Sequence, residues 1–165
     1  MLIRPENESD IDAVRGVNAL AFGQADEGAL VDALRAQGYA RVSLVAESNA
    51  EVVGHILFSE ITIRMESNPV ATLSLAPMSV LPEHQNTGVG SRLVREGLDR
   101  CRALDYGLVL VLGHPTYYPR FGFSAKLAAP LDAPFSGESF MALELVPGAL
   151  EGVRGTVEYS APFGT

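Results

Sequence analysis

The run Gln85-Asn86-Thr87-Gly88-Val89-Gly90 has the residue types and spacing of a site for a phosphorylated ligand. An apolar strand ends just before it, Pro82 redirects the chain, and a strongly amphipathic helix opens at about Gly88. The first N–H groups of a helix have no intrahelical acceptor, and the helix dipole adds partial positive charge there. Glycines let a bulky anion approach the backbone with no Cβ in the way, so the segment can hold phosphate oxygens. Two common phosphate loops do not fit. No lysine follows Gly90, as a nucleoside-triphosphate loop requires, and Leu93 stands where a dinucleotide fingerprint needs its third glycine.

The elements that must position this loop follow from periodicity. Leu2-Ile3-Arg4 reads as a first strand. Ser9 reads as the N-cap of a helix reaching about Phe22, with Asp12 completing a box-like arrangement. A second helix spans about Glu27 to Gln37, with Leu30, Val31 and Leu34 inward and Gly38 as its stop. Val42–Ala46 and Val52–Ile63 read as strands joined by the tight turn Ser48-Asn49-Ala50-Glu51, in which Ser48 and Asn49 suit a positive φ or a side-chain-stabilised turn. Val70–Val80 is a further long strand. From about Gly88 to Leu104, Val89, Leu93, Val94, Leu98, Cys101 and Leu104 recur at helical spacing. Gly107–Leu112 is a continuous apolar run, as in a strand buried on both faces. A helical turn near Thr116–Phe121 and strands at Phe140–Leu145 and Thr156–Tyr159 complete the chain. Antiparallel strands followed by a strand-helix-strand crossover predict a mixed α/β sheet.

The pattern Gln-x-x-Gly-x-Gly after several antiparallel strands resembles the acetyl-CoA loop of the GCN5-related N-acetyltransferase (GNAT) superfamily. Val80 to Leu93 matches that superfamily's strand-to-helix segment almost position for position. A second motif, Gly113-His114-Pro115-Thr116-Tyr117-Tyr118-Pro119-Arg120-Phe121-Gly122-Phe123, resembles its Tyr-x-x-x-Gly-Phe element, with Tyr118 four residues before Gly122. Both this motif and the tail Gly137–Leu150 look like a bacterial subgroup of predicted acetyltransferases, so the resemblance covers nearly the whole chain.

That resemblance implies one acyltransferase domain over 1–165, with a small β-rich extension from about residue 125. It implies a central mixed, mostly antiparallel sheet flanked by helices and splayed at the CoA-binding strand. It implies transfer of an acetyl or short acyl group from acetyl-CoA to a primary amine, by direct attack in a ternary complex. Backbone N–H groups of Asn86, Thr87, Gly88, Val89, Gly90 and Ser91, with Gln85, would hold the pyrophosphate. Met78, Ser79 and Val80 would pair their backbone with the pantetheine arm, much as a peptide strand adds to a sheet edge. The N–H of Met78 or Val80 would stabilise the oxyanion. Tyr118 would protonate the departing thiolate as general acid. Arg92 or Arg95 could meet the 3′-phosphate.

The motif also departs from the commonest superfamily pattern, because Val111 occupies the place of the usual asparagine upstream of the tyrosine. Some relatives place a basic carboxylate on the strand before the loop, yet Thr72 to Leu81 contains none. Glu47, Glu60, His55 and His114 remain as candidates, beside a water relay, and no base is assigned. The missing carboxylate keeps a second reading open, a catalytically silent acyl-CoA-binding or regulatory module on the same fold.

Composition narrows the partners. A net charge of −8 and a single lysine, Lys126, argue against nucleic acid. No apolar run is long enough to suggest a membrane span. The three histidines, at 55, 84 and 114, lack metal-ligand spacing, so no metal is expected. Cys101, the only cysteine, reads as core rather than nucleophile. One cysteine forms no internal disulfide, which makes a reducing cytoplasm the expected compartment. The expected partner is a small-molecule or peptide amine acceptor, with the chain a monomer or homodimer.

Overall fold

A computed structural model describes residues 1–134 and 137–164. Among the described residues there are eight strands and four α-helices. They are β1 (Leu2–Pro5), α1 (Ile11–Phe22), α2 (Asp26–Ala36), β2 (Ala40–Ser48), β3 (Glu51–Arg64), β4 (Val70–Val80), α3 (Val89–Arg102), β5 (Leu108–Leu112), α4 (Ala125–Ala128), β6 (Leu131–Asp132), β7 (Phe140–Glu144) and β8 (Gly155–Glu158). Hydrogen bonding orders the strands β1-β2-β3-β4-β5-β7, with β8 on β3 and β6 on β8. This is the mixed, mostly antiparallel sheet with helices that the sequence predicts. Among the described residues no helix is long and apolar enough to cross a membrane.

Contacts divide the chain into two compact units. The first holds Met1–Phe58 and Pro77–Arg100. Its β1 runs antiparallel to β2 in the register Leu2↔Glu47 to Pro5↔Leu44. Val14, Val17, Val31 and Leu34, recurring at helical spacing, are buried on α1 and α2. A glycine makes one contact in this core possible. A Cβ on Gly97 of α3 would stand 2.9 Å from Phe58 Cζ, so the ring lies directly on the helix backbone.

The first turn corrects the sequence reading. Asn7, not Ser9, is the cap: its side chain accepts from the Ser9 N–H at 3.0 Å, while Asp10 accepts from the Asn7 N–H at 2.9 Å. This capping box opens a 3-10 turn, Glu8–Asp10, that leads into α1. Asp10 also receives Arg4 at 2.7 and 2.9 Å, which holds its carboxyl below the usual carboxylate range. The β2–β3 turn is likewise shifted by one residue, since Asn49 (φ 50°) and Ala50 (φ 63°) are the left-handed pair. Two consecutive positive φ values match the twist of the flanking strands.

The second unit holds Ser59–Ala76 and Cys101–Thr165. Ile61, Ile63, Leu108, Leu110, Leu131, Phe140, Ala142 and Val157 form its buried core. β5 and β7 pair antiparallel from Leu108↔Glu144 to Leu112↔Phe140. The parallel pairing of β4 with β5 is confined to Leu73↔Val109 and Ser74↔Leu110, although β4 continues to Val80 and β5 to Leu112.

Candidate functional site

In the first unit, β4 ends at Val80 and a 3-10 turn, Pro82–His84, carries the chain to α3. Pro82 begins that turn because its fixed φ suits a first helical position and its missing N–H costs no bond there. Two bonds tie the loop to the sheet. The Leu81 N–H donates to the Val53 carbonyl at 2.8 Å, and Gln85 Nε2 donates to the Val80 carbonyl at 3.0 Å. Thr87 Oγ1 donates to the His84 carbonyl. Asn86 (φ 62°) and Gly88 (φ 91°) take left-handed conformations that aim the chain into the helix. The Gln85 side chain therefore holds the loop from within.

Helical bonding in α3 begins with the Arg92 N–H donating to the Gly88 carbonyl at 3.1 Å. No acidic residue lies in its first turn, so no carboxylate there competes with an incoming anion. Asn86, Thr87 and Gly88 are exposed, whereas Val89 is buried and anchors the helix. Gly54 of β3 makes the anchor close-fitting: a Cβ there would meet Leu93 Cδ1 at 3.0 Å, Val89 Cγ1 at 3.1 Å and the Ser79 carbonyl oxygen at 3.2 Å. The structure thus gathers Ser79, Val80, Gln85 and the start of α3 into one neighbourhood. Arg92 hydrogen-bonds the Met1 carbonyl at 3.2 Å.

Two of the candidate bases lie in this unit. Glu47 receives Arg4 at 3.3 Å. His55 is fully buried on β3, and burial, followed by the charge of Arg35, holds its imidazole down at about 3. Its Nε2 lies 2.9 Å from Ser43 Oγ, Ser43 donates to Glu6 at 3.1 Å, and Arg35 donates to both Glu6 oxygens. Nothing in the sequence linked residues 6, 35, 43 and 55, which meet only because β1, α2, β2 and β3 fold together.

In the second unit, Tyr118 opens the 3-10 turn Tyr118–Phe121, which ends on Gly122 at φ 104°. Its ring is buried among Tyr117, Phe121 and Phe123, at centroid distances of 5.1, 6.4 and 5.7 Å. Burial, with Tyr117 adding to it, pushes the phenol up to about 12. The hydroxyl makes no hydrogen bond among the described residues and is not one of the sealed polar atoms. Tyr117 packs on Phe121 and lies under the Arg120 guanidinium, 4.6 Å from its centroid, consistent with a structural role.

His114 is exposed, and its carbonyl accepts from the Tyr117 and Tyr118 N–H groups. Glu60 accepts from the Tyr106 hydroxyl at 2.6 Å. Tyr106 precedes β5, so Glu60 lies at the end of that strand opposite Gly113 and Tyr118. Cys101 is fully buried, and burial drives its thiol up to about 12, which suits packing rather than nucleophilic attack.

Comparison with known proteins matches the chain to a family. The model of an acetyltransferase (GNAT) domain matches residues 2–125. An uncharacterized N-acetyltransferase of Escherichia coli K12, YjhQ, is 43% identical across 71% of this chain and 66% of its own length. The chain thus spans about two thirds of that relative. A second uncharacterized N-acetyltransferase of that strain, YhbS, is 34% identical across 99% of this chain and 98% of its own. The crystal structure of Escherichia coli YhbS in complex with CoA is similar with a TM-score of 0.90, at 32% identity, covering 99% of this chain and 92% of that one. A GNAT family acetyltransferase from Brucella melitensis in complex with acetyl-CoA gives 0.82, at 36% identity, covering 98% and 97%.

Proposed function

Because the chain belongs to the GNAT acetyltransferase family, we propose that it moves an acetyl or short acyl group from acetyl-CoA to a primary amine on a small molecule or peptide. The transfer is a direct attack in a ternary complex, and residues 1–165 work as one acyltransferase domain. The observation that carries this reading is the start of α3, where an exposed turn with left-handed Asn86 and Gly88 meets a helix N-terminus free of acidic residues. Such a terminus suits a pyrophosphate. Relatives that were crystallised with CoA and acetyl-CoA support the choice of ligand.

In this reading Gln85, Asn86, Thr87, Gly88, Val89, Gly90 and Ser91 cradle the pyrophosphate through their backbone. Met78, Ser79 and Val80 pair their backbone with the pantetheine arm at the end of β4. An N–H of Met78 or Val80 steadies the oxyanion as the amine attacks the thioester. Tyr118 gives the leaving thiolate its proton. A phenol raised to about 12 stays protonated near neutral pH, the state a donor needs.

Free thiol release from acetyl-CoA across a panel of primary amines tests the proposal. Release with at least one amine, together with an acetylated product of matching mass, is expected. Tight CoA binding with no release on any amine would favour a silent binding module instead.

A further inference from the structure

Beside β7 the second unit folds around a cleft of about 600 Å³. One wall is α4, with Lys126 and Leu127, followed by Pro130. Ser124 fixes this wall. Its backbone bridges Ala142 of β7 at 2.9 and 3.0 Å, and its hydroxyl accepts from the Leu127 N–H at 3.2 Å. The other wall is Glu144, at the end of β7, with Leu150 and Glu151 from the turn that follows. The Leu150 N–H donates to Glu144 Oε2 at 2.9 Å, and the Glu151 N–H donates to the Gly148 carbonyl at 2.9 Å. Both walls are thus tied to β7 by their own hydrogen bonds.

The charges on the two walls are opposite, and they do not meet. Lys126, the only lysine in the chain, makes no ion pair or side-chain hydrogen bond among the described residues. The Glu151 side chain has no partner among them, and that of Glu144 has the Leu150 N–H alone. A cation and two carboxylates therefore line one cleft, each with bonding capacity to spare. Leu127, Pro130 and Leu150 add apolar surface to the same cleft. A ligand that satisfies all of them carries an anionic end for Lys126, a cationic end for the glutamates and an apolar body.

We propose that this cleft binds an apolar zwitterion, an amino acid or short peptide with both termini free. Its carboxylate bonds to Lys126 Nζ, its ammonium bonds to Glu144 and Glu151, and its side chains pack on Leu127, Pro130 and Leu150. The volume lies within the range of small-ligand sites, about 300–1,000 Å³. The cleft stands apart from the proton donor assigned above. Glu144 pairs with Leu108 at the start of β5, whereas the Tyr118 ring lies on Gly113 beyond its end. Five residues of extended chain, roughly 17 Å, separate the two. The zwitterion is therefore a second ligand rather than the attacking amine, and its binding does not depend on the acyltransferase reading.

Calorimetric titration of the full chain with leucine and with the dipeptide Leu-Leu tests the site. Saturable binding of at least one, with a Kd of about 0.1–1 mM, is expected, and the tighter of the two tells free amino acid from peptide. N-acetyl-Leu-Leu lacks the ammonium and Leu-Leu amide lacks the carboxylate, so each should bind about 5- to 10-fold more weakly than Leu-Leu. Lys126→Met should abolish the preference for a free carboxylate, and Glu151→Gln should reduce the preference for a free ammonium. Both side chains are exposed, so both variants should melt like wild type. Because Lys126 is the only lysine, protein labelled with carbon-13 lysine gives one lysine signal, which should move along the same isotherm. No saturable binding of either ligand, a lysine signal that stays in place, or equal affinities for the blocked and free forms would overturn the site.

Discussion

Tyr118 occupies the space where a side chain on Gly113 would stand: a Cβ there would come within 2.9 Å of ring carbon Cδ2 and closer still to Cε2. The glycine at the end of β5 therefore sets where the phenol lies. Gly113→Ala is expected to push the ring out of place and to cost about 1–3 kcal/mol by overpacking. Turnover should fall while CoA affinity holds, which steady-state kinetics beside calorimetric titration of CoA would show. An alanine enzyme with wild-type kcat would mean that the ring position is not set by this contact.

Tyr118→Phe removes only the hydroxyl and keeps the packing with Tyr117 and Phe123. A fall in kcat of about 10²-fold or more is expected, with CoA binding nearly intact. In the wild-type enzyme the phenol, raised to about 12, should impose no alkaline loss of rate below about pH 11. Equal loss of turnover and CoA affinity in Tyr118→Phe would contradict its assignment as proton donor.

His55 supplies an acid-stability signature whose sign is fixed. Its folded value of about 3 lies below the ordinary 6.5, so the unfolded chain binds the extra proton between those values. Stability is then flat above about pH 6.5 and falls as pH drops toward 3, at up to about 1.4 kcal/mol per pH unit. Asp10 and Glu158 are held below the carboxylate range, so they contribute only lower down. Urea unfolding of wild type and His55→Gln between pH 5 and 7 would show it, and the glutamine variant should lose most of the slope. Parallel pH dependences would assign the slope to other groups.

Ala50 holds a left-handed φ of 63° at a turn position that favours glycine. Ala50→Gly relieves that strain, partly offset by the greater freedom of glycine in the unfolded chain. A net gain of about 0.5–1 kcal/mol is expected, read as a higher Tm with unchanged kinetics. A lower Tm would show that the methyl group makes a contact outweighing its backbone strain.

What the residues revealed in advance tracks the range of the interactions involved. α3 and the end of β4 were legible because fourteen or so residues of regular spacing and a local turn define them. α4, with four residues, and β6, with two, are too short for any period to stand out, and β6 exists only through its pairing with β8. The caps and turns slipped by one or two residues because Asn7 and Ser9, or Asn49 and Ser48, are chemically alike. The hydrogen-bonded string Glu6–Ser43–His55 was invisible, since its members lie far apart in the chain and each alone looks like an ordinary polar residue.

The loop from Gln85 to Ser91 carries the account, and calorimetry with two ligands probes it most directly. Pantetheine shares the arm of CoA and lacks its pyrophosphate and nucleotide. CoA is expected to bind wild-type protein at least about 100-fold more tightly than pantetheine does, from helix-terminus and backbone contacts to the phosphates. Asn86→Asp, a near-isosteric change that adds one negative charge at the left-handed turn, should weaken CoA about 10-fold and leave pantetheine unaffected. Equal affinities for the two ligands, or an Asn86→Asp protein that binds CoA as well as wild type, would contradict a pyrophosphate site on this loop.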